Sequence, residues 1–348
     1  MSEVLLSIAF FLVWIVLGIG ALWATLILFH LPRIATTGRI VASLLFPLAL
    51  GAVVYWMGGD WTAAGIVGGA LLAIGVGWAF YRAEHRLAHA KNEPPMPHVD
   101  IDGDRITIKN YGDLKLEENE ERATFDYVER SFDLSKLQSV WFGVQPFKGV
   151  NILGHTYAAF DFGEGGVLGV SVQSRRPDGT PFSPLQGMFK SYGLIYFLCD
   201  ERHAVGYESL CGGSRLYLYR MRTDRDAARK LLLGVFERAN RLAERPEFYH
   251  SLVNNCTSNL VCEANRILDR KLSIYSPRIL LTGLSDRVAY DHGLVDCGKL
   301  SFQEIRKRAD VTEAACRSRP HPDFSRRIRE AWTATDEECS PEIAASGA

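Results

Sequence analysis

From Val4 to Phe29 the chain carries no charged residue, and two further uncharged apolar runs follow, Ile40–Gly59 and Trp61–Tyr81. A helix rises 1.5 Å per residue, so about 20 residues cross the roughly 30 Å hydrocarbon core of a bilayer. Each run is long enough for one span. The first exceeds the core of a secretory leader and has no basic segment before it, so it reads as a retained span. Only Met57-Gly-Gly-Asp60 separates the last two, which predicts a tight helical hairpin. Gly65, Gly69, Gly75 and Gly77 offer small faces for close helix packing. Trp14, Trp23, Tyr55, Trp56, Trp61, Trp78 and Tyr81 include rings suited to the membrane–water interface. No acid or base lies in mid-span, so residues 1–91 read as an anchor rather than an ion path.

After this the pattern changes. Residues 92–98 hold three prolines and read as a linker. Val99–Lys109 alternates apolar and polar positions around Asp102-Gly103, a hairpin signal. Glu117–Arg122 is a charged loop. Val140, Phe142 and Val144 alternate as a strand. Ile152–Phe162 and Val167–Ser174 form a hairpin about Gly163–Gly166, and further strands are expected at Tyr192–Cys199 and Arg215–Arg220. The period then moves to 3.6. Thr223, with Asp226 three residues on, is expected to cap a helix whose apolar face includes Leu231, Leu232, Val235, Phe236 and Ala239, ending at Pro246. A second helix is predicted from Asn255-Cys256-Thr257 to Arg270, and a shorter one from Glu304. Strands first and helices later, joined by hairpins, predict an α+β domain over 99–318 around a mainly antiparallel sheet. Residues 319–348 read as an extension, disordered after Thr335.

Composition adds limits. The 348 residues balance to a net charge of −1, which gives no basic stripe for nucleic acid. Seven cysteines show no CxxC pair, so no metal or cofactor is expected, and their odd number leaves disulfides open. Arg33, Arg39, Arg82, Arg86 and Lys91 flank the spans on the side of the soluble domain, and the positive-inside rule taken literally would place that side in the cytoplasm.

One constellation has the elements of thiol chemistry. A cysteine nucleophile needs a stabilised thiolate, a base and donors for an oxyanion; a helix start supplies the first and last. Cys256 is predicted at such a start. His155, on the strand Gly154–Asp161, is a candidate base, and Gln173 on the returning strand is the candidate to orient it, with Ser171 next. Arg175, Arg176 and Asn255 are candidates for binding substrate, the two arginines through a carboxylate or phosphate. The competing reading is a small core thiol and a structural histidine, because spacing alone does not join positions 155 and 256. Asp200-Glu-Arg202 reads as a structural ion pair, and His203, His250 and His321 as surface residues.

Several signatures in order, Ile101–Ile108, Gly154-His155 leading to Phe160-Asp-Phe162, Ser171–Arg176, Asp200-Glu-Arg202, Leu216–Tyr219, Arg245–Tyr249 and Asn254–Thr257, resemble the bacterial Lnb N-terminal periplasmic domain (DUF4105) family. That resemblance implies a periplasmic domain on an inner-membrane anchor, against the charge rule. It also implies a likeness to circularly permuted papain-like folds (NlpC/P60 amidases and lecithin–retinol acyltransferase-like enzymes), where the histidine strand precedes the cysteine helix. The family tends to carry Glu where this chain has Gln173, so the amide here orients a ring without charge. The implied activity is hydrolysis or acyl transfer on a cell-envelope peptide or lipid. The alternative is a non-catalytic module that binds an envelope protein or assists its folding.

Overall fold

The computed structural model describes residues 2–31, 34–84, 94–116, 123–176 and 181–330. The chain divides into two compact units.

The first unit holds the anchor: α1 (Ser2–His30), α2 (Thr36–Trp56) and α3 (Trp61–Phe80), all three long and apolar enough to span a membrane. The hairpin between α2 and α3 forms as expected. Gly58 and Gly59 take φ of 64° and 63°, a conformation glycine adopts without strain, and the Asp60 carboxylate accepts from the Ala63 N–H to cap α3. The expected packing glycines are not the ones used. Gly65, Gly69, Gly75 and Gly77 face open space, whereas Gly20 lies against Leu71 and Gly68 against Leu17. The helices close through Ala63, Ala64 and Val67 instead, which are nearly fully buried. Residues 176–193 and 247–251 also belong to this unit. Lys190 Nζ donates to the carbonyls of Trp78 (2.6 Å) and Tyr81 (3.2 Å), so a lysine satisfies acceptors left over where α3 ends.

The second unit is the α+β domain. Eight strands form one sheet: β1 (His98–Asp102), β2 (Arg105–Leu116), β3 (Ala123–Asp133), β4 (Ser139–Phe147), β5 (Val150–Asp161), β6 (Val167–Arg175), β7 (Gly193–Cys199) and β8 (Tyr217–Arg220). Their order is β1-β2-β7-β6-β5-β4-β8, with β3 also on β2. Pairs β1–β2, β2–β3, β4–β5, β4–β8 and β5–β6 are antiparallel and β2–β7 is parallel, so the sheet is mixed. Strand β3 has no counterpart among the expected elements, because its charged residues sit on an irregularly buried strand with no clean alternation.

Three helices matter for the site: α4 (Glu201–Val205), α5 (Arg225–Glu244) and α6 (Cys256–Ala264). Two boundaries differ from expectation. Asp224, not Thr223, caps α5, accepting from Ala227 N–H at 2.7 Å. Helix α6 stops at Ala264 rather than Arg270, because the Asn265 side chain turns the chain by bonding both the N–H and the carbonyl of Leu272. A helix at Phe302–Arg308 matches the third expected segment, begun by a Ser301–Glu304 capping box. The loop at Glu117–Arg122 and the tail after Thr335 lie outside the described residues. Cys211 and Cys316 form a disulfide with Cα atoms 5.2 Å apart.

Candidate active site

Sequence places Cys256 at the first position of α6, and the local residues explain why the helix starts there. Asn255 caps it: the side-chain oxygen accepts from Ser258 N–H at 2.9 Å, and Ser258 Oγ accepts from Asn255 N–H at 2.8 Å. The cap uses the third N–H of the helix. The N–H groups of Cys256 and Thr257 come before it, where a helix offers no internal acceptor.

His155 comes from β5, the central strand of the β4-β5-β6 meander, where Gln145 of β4 lies opposite it. A Cβ on Gly154 would meet the Gln145 carbonyl oxygen at 2.7 Å and Pro146 Cα at 2.9 Å, so glycine is required before His155 for β4 to pass this close. Thr282 Oγ fixes the same residue from outside, accepting from Gly154 N–H at 2.9 Å and donating to its carbonyl at 2.7 Å. Next to the histidine, Thr156 Oγ lies 3.0 Å from Thr257 Oγ, a fully buried contact that clasps β5 to α6 beside the thiol.

The histidine's Nε2 lies 3.0 Å from the carbonyl of Ala204 and 3.0 Å from Ser171 Oγ. A carbonyl only accepts, so Nε2 carries the proton and Nδ1 is the basic nitrogen of the neutral ring. Gln173 Nε2 donates to Ser171 Oγ at 2.9 Å. Gln173 therefore reaches the imidazole through Ser171, which makes the direct contact. Ala204 sits on α4, and buried ions fix that helix. Asp200 caps it and pairs with Arg202 at 2.9 Å, while Glu201 is held by both terminal nitrogens of Arg329 at 2.7 and 3.0 Å. The Tyr157 hydroxyl also reaches Glu201, and its ring lies flat over Gly143, where any side chain would collide with it. Asp200-Glu-Arg202 is thus structural, and it aims a backbone carbonyl at His155.

These surroundings set the thiol. Cys256 is only 5% exposed, and burial alone raises a thiol pKa. The hydrogen bond and charge of His155, joined by the Thr156 hydroxyl and backbone, outweigh that and bring it from 9.0 to about 7. The helix start adds to this by favouring negative charge.

The other candidates have different partners. The Arg175 guanidinium is largely buried and donates to the Pro94 carbonyl at 3.1 Å. Arg176 lies over the Phe182 ring. The side-chain oxygen of Asn255 serves the cap. Of the histidines read as surface residues, His321 is exposed, while His250 and His203 are half-buried, with the ring Nδ1 of His203 enclosed. Its ring stacks on Phe125 with centroids 3.7 Å apart and touches Phe197, and burial pushes its pKa down to about 4. Sequence reasoning missed Ala204, Thr156 and Thr257. A backbone carbonyl leaves no residue-type signal, and lone threonines on a strand and a helix read as ordinary.

Beside the site, an apolar cavity is lined by Thr257, Leu260, Val261, Leu272, Ile279 and Val288. Thr257 is the residue after Cys256. Among the described residues no cluster of His, Cys, Asp or Glu is placed to hold a metal.

Fold and site together define a membrane-anchored α+β domain with a histidine-paired cysteine at a helix start. Residues 123–282 match the family model of the Lnb N-terminal periplasmic domain. With its three spans, the chain is an inner-membrane protein with a periplasmic domain. The Cys211–Cys316 disulfide accords with an oxidising compartment. The basic residues around the spans therefore do not set the orientation that a literal count of charges gives. No curated protein and no solved structure matches the chain.

Proposed function

We propose that this protein is a thiol acyl-transfer enzyme of the cell envelope, acting as a hydrolase or an acyltransferase. The observation that carries the reading is a buried thiol at a helix start whose pKa His155 brings down to about 7. The Cys256 proton passes to His155 Nδ1, and the thiolate attacks a carbonyl carbon. The N–H groups of Cys256 and Thr257 face the oxyanion. As the intermediate collapses, the leaving group takes the proton from His155 and a thioester remains on Cys256. Water or an acceptor hydroxyl or amine then gives a proton to His155, attacks the thioester and frees the thiol. Ala204 and Ser171 hold the ring, with Gln173 behind Ser171. The order of His155 before Cys256 suits a permuted papain-like arrangement.

The second reading, a non-catalytic module for an envelope partner, draws on the deep burial of Cys256. Incubating the full-length protein with phosphatidylethanolamine–phosphatidylglycerol vesicles, and separately with peptidoglycan fragments, distinguishes them. Enzyme chemistry predicts an acyl mass on Cys256, removed by neutral hydroxylamine and absent from Cys256→Ala. No adduct from either source, with Cys256 inert to alkylation, favours the module.

A further inference from the structure

The segment that follows β6 belongs to the anchor's unit, and its inner side is fixed at several points. Ser191 Oγ donates to the His30 carbonyl at 3.0 Å, where α1 ends, and the Phe189 ring stacks on the His30 ring with centroids 5.3 Å apart. Lys190, held by the carbonyls of Trp78 and Tyr81, also lies over the Trp78 and Phe248 rings. Ser251 ties the turn from behind, its N–H donating to the Gly187 carbonyl and its hydroxyl to the Pro184 carbonyl.

The outer side is different. Pro181, Pro184, Leu185 and Met188 are exposed, with Leu185 50% and Met188 39% accessible. No charged residue occurs from Pro181 to Phe189, and the first one, Lys190, is turned inward. A turn facing water gains from polar side chains; this one presents aliphatic ones and keeps its cation for helix carbonyls. It is fastened where α1 and α3 end. Helices of 29 and 20 residues that span the hydrocarbon core end at the interface, and Trp78 and Tyr81, amphipathic rings of the kind found there, flank it.

We propose that residues 181–190 are a fourth membrane element that does not span, with Leu185 and Met188 seated at the headgroup–acyl boundary of the periplasmic leaflet. The occupant of this face is phospholipid, continuous with the lipid around the spans. The proposal does not depend on the chemistry of Cys256. It does bear on it: residue 176 directly follows the strand carrying Ser171 and Gln173, and residues 247–251 directly precede the segment entering Asn255 and Cys256.

The test places p-benzoylphenylalanine at Leu185, Met188 or Glu313 in the full-length protein, in vesicles of phosphatidylethanolamine and phosphatidylglycerol. Glu313 is the water-facing control, its side chain 88% exposed. After irradiation, lipid adducts at positions 185 and 188 should exceed those at 313 at least fivefold. Unmodified protein in vesicles with a diazirine near the glycerol end of one acyl chain provides a second readout, and label should appear on the peptide containing 181–190 as well as on the spans. Adducts at 185 and 188 equal to those at 313, adducts to a second copy or another protein instead, or spans labelled without this peptide would each overturn the proposal.

Discussion

Two free thiols are buried in the α+β domain, one at the end of β7 and one at the start of α6, and their surroundings push them in opposite directions. Cys199 is fully enclosed, its sulfur faces the Gly169 carbonyl, and the acids Asp200 and Glu201 follow it. Burial first and then those charges raise its pKa well above 9.0. Cys256 is also buried, and burial acts on it in the same sense. It differs in its neighbours: the His155 imidazole and the Thr156 hydroxyl and backbone bring it down to about 7, and the helix start favours negative charge in the same sense. Burial makes a thiol inert; donors and a neighbouring cation make a buried thiol reactive.

The largest expected effect comes from removing the feature that separates the two. His155→Ala leaves Cys256 with burial as its main influence, like Cys199, and should slow thioester formation by on the order of 10²–10⁴-fold, the usual contribution of a positioned acid–base group. Single-turnover acylation measures it, and a loss under twofold would mean that the histidine does not make the difference. Cys199→Ala should leave acylation unchanged.

Next is Arg329→Met, which leaves the Glu201 carboxylate buried without its cation. Breaking a buried pair on one side costs about 3–5 kcal/mol. Denaturant unfolding should show that loss, and alkylation of Cys256 should slow in parallel, because α4 no longer fixes the Ala204 carbonyl on His155. Unchanged stability would refute the structural role of Asp200-Glu-Arg202.

His203 shows burial acting on a cation that the nearby Asp200 compensates only in part. Its pKa is about 4 in the folded chain against 6.5 unfolded. Above pH 6.5 both states are neutral and nothing changes. Between 6.5 and 4 the unfolded chain binds a proton that the folded one refuses, so stability falls with pH by at most about 1.4 kcal/mol per unit. His203→Phe should flatten that slope in unfolding midpoints taken at pH 7 and pH 5; an unchanged slope would contradict the assignment. A smaller effect is that of Ser171→Ala, which removes the neutral hydrogen bond to the imidazole, worth about 0.5–1.5 kcal/mol, together with the acceptor of Gln173, and should slow acylation by roughly two- to tenfold. Gln173→Ala should do less, since it acts through Ser171.

The parts of this comparison that were legible in the sequence are those written in side-chain pattern. The spans, the Gly163–Gly166 hairpin and the helix starting at Cys256 follow from apolar periodicity and capping residues, and His155 and Cys256 were candidates from residue type and position. What the pattern did not carry is long-range. Nothing near position 204 marks a carbonyl aimed at His155, because that aim depends on Arg329 reaching Glu201 from 128 residues away. The alternation that set Ser171 and Gln173 on one face was right, but which of the two touches the ring is a matter of a few ångströms. The packing glycines of α3 were misjudged because small residues show where helices can meet, while Leu17 and Leu71 decide where they do.

The central claim is that position, not burial, makes Cys256 the reactive thiol. Its most direct test is iodoacetamide labelling of the folded full-length protein from pH 5.5 to 9.5, read by mass spectrometry at each cysteine. Cys256 should label with a midpoint near pH 7 and outpace the exposed Cys262 at pH 6.5, while Cys199 stays unlabelled until the chain is unfolded. A Cys256 midpoint near 9, or labelling at pH 6.5 no faster than that of Cys262, would contradict the account.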